Sequence, residues 1–426
     1  MSSSSVAPTA GANASAGASI ATGTAVPPPA VAMPLPRAAF FIALLLGLQP
    51  IATDVYLPAL PLLTSALQAP MALAQLTMSA LILAFGVAQL AWGPIADRFG
   101  RRPVLQTGLA LYTLAGFGSA LAPNVEALIA WRALQGVALA ASVVCARAMV
   151  RDLYEPVSGA RVMSLAMSGL AILAISGPTI AGALAASVGW RGALALIGCL
   201  GAAALATVTL RLPETVRQRD AHATRPGPLM RNWAAMLAHP VFRAWTLLSA
   251  CTYGGLFTVL AASPFVYIDV LGLTSAQVGL TLGWGGSVYL VATFVGRRWI
   301  HRHGMRGTVA RGAGFTLAGG GVALVAAFVP QSSALWWLLA GHGLYSFGHA
   351  MHQPCGQAGA VGPFPHAAGA ASALAGCLLA LVAFAVGLVL GVALDGSVRP
   401  LAYGLALWSL ATAAVAWTLV QRHVRH

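Results

Sequence analysis

Two charged residues, Asp54 and Arg132, stand inside otherwise apolar runs of this chain. Only nine of its 426 residues are acidic, so a carboxyl in such a place is conspicuous. Asp54 follows Arg37 by about 17 residues, roughly 25 Å along a helix rising 1.5 Å per residue. A carboxylate that far from water is costly, and such groups face a cavity or a partner. It could take up and release a proton as its exposure changes; the alternative is an interfacial helix-end Asp just before Pro58. Arg132 is the one arginine well inside an apolar run, about eight residues or 12 Å from the opposite surface. The two therefore lie at similar depth, and we expect them to be coupled, directly or through water. A purely structural ion pair is the alternative; even then, losing one partner would leave the other buried and uncompensated. His342, His349 and His352 share one loose helical face at 100° per residue. That suits helix–helix hydrogen bonding or a protonatable role. No metal site is expected there, because no acid or further histidine lies close in sequence.

Other chemistries are excluded by what is missing. The chain has no GxSxG, GxGxxG or HExxH motif. All 23 of its basic Lys+Arg residues are arginine, so it lacks the lysine that a phosphate-binding P-loop or a Schiff base requires. It is not expected to be an enzyme, and no cofactor is expected. Any uphill work must draw on an ion gradient or another subunit. The net charge of +14 is scattered singly or in short clusters between apolar runs, which argues against a nucleic-acid partner. The five cysteines, none close to another, read as small buried thiols.

The elements that must position these residues follow from composition. Hydrophobic residues are 58% of the chain and charged residues 8%, with a mean hydropathy of +0.81. A soluble domain carries roughly 25% charged residues, so the chain reads as an all-α integral membrane protein. Residues 1–36 are Ser, Ala, Gly, Thr and Pro-rich, with no ionisable side chain, and are expected to be a disordered tail. Twelve apolar stretches follow, at about 38–60, 73–95, 104–122, 125–147, 161–186, 191–211, 241–264, 276–296, 308–329, 333–355, 368–391 and 400–421. Each is near the roughly 20 residues that span a bilayer. With the N-terminus inside, 20 of the 23 basic residues fall on the inner side, Arg191 and Arg399 fall outside, and Arg132 lies within a span. That bias supports both the count of twelve and the direction. A polar stretch at 212–240 divides the chain into halves at 37–211 and 241–426. Gly93–Arg102 (GPIADRFGRR) and Gly296–Arg306 (GRRWIHRHGMR) are basic turns at matching places in the two halves, as in transporters built from internal repeats. The acids outside the apolar runs (Glu126, Asp152, Glu155, Glu214, Asp220, Asp269 and Asp395) read as solvated loop residues.

These motifs carry a family resemblance. Gly93-Pro-Ile-Ala-Asp97-Arg98-Phe-Gly100-Arg101-Arg102-Pro103 resembles the loop signature of the major facilitator superfamily. Arg132-Ala-Leu-Gln135-Gly136 resembles the span-four motif of its drug:proton antiporters, and Gly177-Pro178-Thr-Ile-Ala-Gly182 the end of their span-five antiporter motif. The segments Thr53–Pro61, Ala262–Ile268 and Phe364–Ser372 look like the Bcr/CflA group, the bicyclomycin and chloramphenicol resistance transporters. The resemblance implies twelve helices in two pseudo-symmetric halves of a monomer in the bacterial inner membrane, with both termini cytoplasmic. It implies a proton-coupled efflux antiporter whose partners are small drugs, protons and the lipid bilayer. An exporter or importer of one metabolite on the same fold is the alternative. Asp54 would be the proton site, influenced by Arg132. Gly93, Asp97, Arg98, Gly100, Arg101, Arg102 and Arg147 would form a conformational latch, with Asp97 meeting Arg147 or the start of span eleven near Gly369. Related transporters with a second acid early in span one have no counterpart here, where Ala43–Leu48 is acid-free; this favours one proton per cycle. By position, Tyr56, Tyr253, Phe257 and His349 are expected to bind substrate.

Overall fold

The computed structural model describes residues 33–57, 60–216 and 219–423; between 156 and 186 it describes the backbone and only some of the side chains. The expected tail up to residue 32, and with it Pro58, Arg217 and Arg425, lies outside the described residues. Twelve helices of membrane length follow one another. Span one is Leu35–Asp54, span two Met71–Phe99, span three Arg101–Ala120 and span four Val125–Leu153. Spans five and six run as one helical trace, 156–188 and 190–211, broken at Gly189. Span seven is Pro240–Phe265 and ends in a π-helical turn, Val266–Val270. Spans eight and nine, 275–303 and 305–325, are broken at Gly304. Span ten is Gln331–Val361, span eleven Ala368–Ala393 and span twelve Arg399–Trp417. A helix at Pro226–Ala238 lies in the linker between the halves. Both breaks need glycine, because φ is +67° at Gly189 and +66° at Gly304, a region that other L-residues enter at a cost.

Eight helical stretches are long and apolar enough to cross a membrane on composition alone. Spans eight and nine count among them as the single stretch Ser275–Val325, span five lies where side chains are only partly described, and spans three and ten are not among them. Span three opens on Arg101 and Arg102, and span ten carries His342, His349 and His352, all three buried. Their polar groups meet protein rather than lipid, the arrangement a bilayer permits. Spans two and four also run past their apolar stretches into the basic ends, and span ten runs past its own to Val361. Span one stops earlier than its apolar stretch, at Asp54.

The internal repeat is visible in atoms. Gly100 has φ +105° between spans two and three, and Gly304 occupies the matching turn of the second half. Two residues after each glycine an arginine reaches the chain end of its own half. Arg102 Nη2 donates to the Thr209 carbonyl at the end of span six, 2.9 Å. Arg306 Nη2 donates to the Gln421 carbonyl, 2.7 Å, just beyond span twelve. Carbonyls at a helix C-terminus lack helical partners and attract cations. The basic residues of this face thus cap helices as well as orient the chain; Arg37 does the same for the Arg211 carbonyl, 2.7 Å.

The seam between the halves is built from small residues. Span two packs along span eleven, with Gly86 against Ala380, Gly387 against Ser79 and Gly391 against Ala72. A Cβ on any of these glycines would overlap its neighbour. Helices in lipid associate through such close backbone approach. No described ion pair crosses the seam, so the two faces can slide without breaking a charge contact. Within the first half, Gly136 of span four lies directly on the Leu81 carbonyl of span two. This is backbone against backbone and cannot relax by rotating a side chain. Replacing Gly136 by Val should therefore lower Tm, with an overpacking cost of about 1–3 kcal/mol. Gly314→Val, at an exposed site with open space around it, should leave Tm unchanged in the same detergent thermal-shift measurement.

Candidate functional site

Span one ends loosely, and that looseness builds the first part of the site. Pro50 lies inside the helix and has no N–H to give the preceding turn. Around and beyond it, neighbouring side chains bond to other span-one carbonyls. The Tyr112 hydroxyl donates to the Leu48 carbonyl, 3.2 Å. Arg132 Nη2 donates to the Ala52 carbonyl, 2.8 Å, and its Nη1 donates to Gln135 Oε1, 2.6 Å. The Arg132 side chain is fully buried, with its guanidinium 4.5 Å from the Tyr56 ring centroid. A cation at the C-terminal turn of a helix is favoured by the helix dipole. Asp54 comes two residues after Ala52, half-buried, and accepts a hydrogen bond from Thr53 Oγ1 at 2.8 Å.

Asp54 and Arg132 are therefore neighbours but not an ion pair. The described ion pairs are Arg101–Asp97 and Arg101–Asp152. Of the two forms of coupling expected from depth, the direct one is not made. Contact runs instead through the last turn of span one, because the free backbone carbonyl of Ala52 takes the guanidinium first.

A cavity of about 130 Å³ opens between the halves. Spans one, two and four contribute Gln49, Phe85, Gln89 and Arg147; spans seven, ten and eleven contribute Ser249, Tyr253, Gln353, Gln357 and Ser372. A smaller one of about 40 Å³, lined by Gln49, Thr53, Phe85 and Tyr253, lies beside it. Thr53 thus borders the cavity and donates to Asp54, which links the carboxyl to the divide between the halves. Drug-sized sites occupy about 300–1,000 Å³, so the halves must part further to admit such a molecule. Both ends are held here. Arg147 Nη1 donates to Ser372 Oγ of span eleven at 3.1 Å on the basic side. Gln75 Nε2 of span two donates to the Ala261 carbonyl of span seven at 2.6 Å on the other.

Of the four residues expected to bind substrate, Tyr253 lines both cavities. Phe257 is fully buried and stacks on Tyr253 with ring centroids 6.5 Å apart, so it supports that wall from behind. Tyr56 is buried, its hydroxyl hydrogen-bonded to Thr77 at 2.7 Å beneath Arg132. His349 is bonded through Nδ1 to the Thr252 hydroxyl, 2.9 Å, inside the second half. Neither of these two lines the cavity in this structure. Attention to ionisable and aromatic side chains passed over Gln49, Gln89, Gln353 and Gln357. The signal was present: Gln49 with Thr53, and Gln353 with Gln357, are polar pairs at i,i+4 in apolar helices, one face each.

On the basic face the latch differs from expectation. Asp97 pairs with Arg101 at 2.6 Å, four residues on, rather than with Arg147 or span eleven. Arg101, whose side chain is 7% exposed, also pairs with Asp152 of span four at 3.0 Å. It is Arg147 and Arg151 that reach span eleven, at Ser372 and beside Gly369. Gly93 lies against Val144 of span four. Arg98 donates to Thr224 Oγ1 at 2.7 Å.

Asp152 and Glu214, read as solvated loop residues, are structural. Span three begins at Arg101 without a capping side chain of its own. Glu214 supplies it from beyond span six, accepting from the backbone N–H of Arg101 at 3.0 Å and of Arg102 at 3.3 Å. Its carboxylate also accepts from the Thr215 and Val216 N–H groups. The place beside Gly100 is filled by this carboxylate, so a side chain there would displace it. The Asp220 N–H donates to the Asp97 carbonyl, 3.1 Å. The linker is thereby strapped to the turn between spans two and three. In the antiporter motif, Gly177 is buried; Pro178 and Gly182 lie outside the residues whose side-chain surroundings are described.

Comparison with known proteins agrees with this architecture. A family model described as Major Facilitator Superfamily matches residues 40–388. Multidrug resistance protein D of Escherichia coli (strain K12) is 30% identical over 343 residues, 79% of this chain and 84% of that protein. The Chloramphenicol resistance protein of Pseudomonas aeruginosa is 30% identical over 333 residues, 76% of each chain. Among solved structures, a D-xylose-proton symporter superposes with a TM-score of 0.70 at 15% identity, covering 90% of this chain and 97% of that one; this likeness is of fold.

The latch geometry ranks its two acids. Asp97 is 49% exposed and Asp152 20%. Asp152→Asn should cost about 1.5–3 kcal/mol, as for losing a hydrogen bond to a charged group while Arg101 keeps Asp97. Asp97→Asn should cost under about 1 kcal/mol, as for an exposed pair. Thermal unfolding of the two purified variants checks the order.

Proposed function

The chain belongs to the Major Facilitator Superfamily, and on that premise we propose that it is a proton-coupled antiporter that exports small amphipathic drugs by alternating access. The relatives named for multidrug and chloramphenicol resistance support the substrate class. The observation that carries the coupling is the run from cavity to Thr53 to Asp54, at the helix end that Arg132 caps. The chain is a transporter rather than an enzyme. It works without a cofactor, on the proton gradient, as a monomer of the bacterial inner membrane. Its basic face and both termini lie in the cytoplasm, the side that the arginine bias favours.

The mechanism follows from what each contact can do. Gain or loss of a proton at Asp54 changes the charge at the end of span one, where the Arg132 guanidinium is tethered through Ala52. Substrate meets the same helix through Gln49 and Thr53. One helix end therefore senses both ligands. Each ligand shifts the balance between inward and outward states only by its difference in affinity for them. The small-residue seam of spans two and eleven lets the halves rock. The Arg147–Ser372 contact on one side and the Gln75–Ala261 contact on the other are released in alternation.

Asp54→Asn keeps the side-chain volume and removes the titrating group. In proteoliposomes it should abolish drug-driven proton movement while size-exclusion profile and Tm stay close to those of the parent. Coupling that survives in Asp54→Asn would reject Asp54 as the proton site.

A further inference from the structure

The cavity between the halves contains a cation that no described acidic side chain neutralises. Arg147 projects from span four into the space bounded by Gln89, Gln353, Gln357 and Ser372. It makes one described hydrogen bond, Nη1 to Ser372 Oγ. Neither described ion pair involves it, and no acidic side chain lines the cavity. The two acids near its end of span four, Asp97 and Asp152, are both engaged by Arg101. Arg132 is different: it faces away from the cavity, bonded to Ala52 and Gln135 and covered by Tyr56.

A guanidinium held in a half-closed, low-dielectric site without a counter-charge is expensive. It is also well shaped to grip a planar anion with two parallel N–H bonds. Around it, the polar lining consists of amides and hydroxyls, and the buried Gln353 Oε1 has no partner among the described residues. The lining also includes the apolar side chains Phe85 and Leu379.

We propose that the cavity is selective for amphiphilic monoanions, with a carboxylate or similar head on Arg147 and an apolar body along Phe85 and Leu379. This deepens the drug-export reading and rests on it. A cationic amphiphile would bring a second positive charge beside Arg147 with nothing to offset it. A neutral one would leave the guanidinium unpaired. Binding of the anion also bears on Arg147's other contact: a ligand that takes the guanidinium competes with Ser372, the side chain through which spans four and eleven meet.

The test compares naphthoate, methyl naphthoate and naphthylmethylamine, which share an apolar body and differ in charge. Equilibrium dialysis is run against the purified full chain in phosphatidylcholine nanodiscs, with protein-free nanodiscs subtracted. Naphthoate is expected to bind at least tenfold more tightly than the ester or the amine. R147Q should erase the difference between acid and ester, and R147K should keep most of it. Equal or tighter binding of the ester or amine by the parent chain overturns the proposal without any variant. A preference that persists in R147Q also overturns it, by removing Arg147 as its source. Adding phosphatidylglycerol to the nanodiscs should leave naphthoate affinity unchanged; competition would mean that a lipid headgroup owns Arg147, against the proposal. A drug panel in a host lacking its own pumps separates the two levels. Resistance to neutral or cationic drugs without anion preference keeps the export reading and sinks this one. No resistance, together with no binding of any probe, sinks both.

Discussion

A buried guanidinium must find oxygen, and in this protein that requirement ties the first helix to the fourth. Arg132 pairs with no described carboxylate; it takes the Ala52 carbonyl at the frayed end of span one and rests over the Tyr56 ring. The cost of burying the charge is offset by a helix-end dipole and a quadrupole rather than by a counter-ion. Asp54 is left outside that arrangement, bonded to Thr53 instead. A carboxyl already neutralised by a salt bridge would have little freedom to change its protonation state. Asp54 makes no described salt bridge and lies two residues from the carbonyl that Arg132 caps.

The basic face solves a related problem with different partners. Here arginines meet helix ends and acids on one surface. Arg37 and Arg102 cap span six, Arg306 caps the end of the second half, and Arg101 is shared by Asp97 and Asp152. Glu214 completes the set by capping span three from the linker. The first half, its turn and the linker therefore behave as one body. The second half meets that body through Ser372, Gly369, the Gln75–Ala261 hydrogen bond and a seam of glycine, alanine and serine. Strong contacts lie within the first half and its strap, and weak ones lie across the divide. That distribution is what rigid-body rocking needs.

Much of the architecture was legible in residue order. Span positions fell close to their apolar runs, because a bilayer demands about 20 apolar residues and tolerates few exceptions. The matching turns at Gly100 and Gly304 were legible too, since a reversal that tight needs glycine followed by charge. The polar cavity residues were partly legible: Gln353 and Gln357 share a helical face by spacing alone. Asp152 and Glu214 were not. A carboxylate in a loop has the same local sequence whether it faces water or caps a helix a hundred residues away.

Sequence by itself determined that this chain lives in a membrane, how many times it crosses and which face is basic. Those properties are sums over local composition, and the bilayer reads composition directly. Which groups pair was decided only by the tertiary structure. Arg132 and Asp54 share a depth, and Asp97 and Arg147 share a face, yet each chose another partner. Depth and face leave the rotation of each helix free, whereas hydrogen bonds and ion pairs act within about 3 Å, so only the packed bundle could choose among candidates.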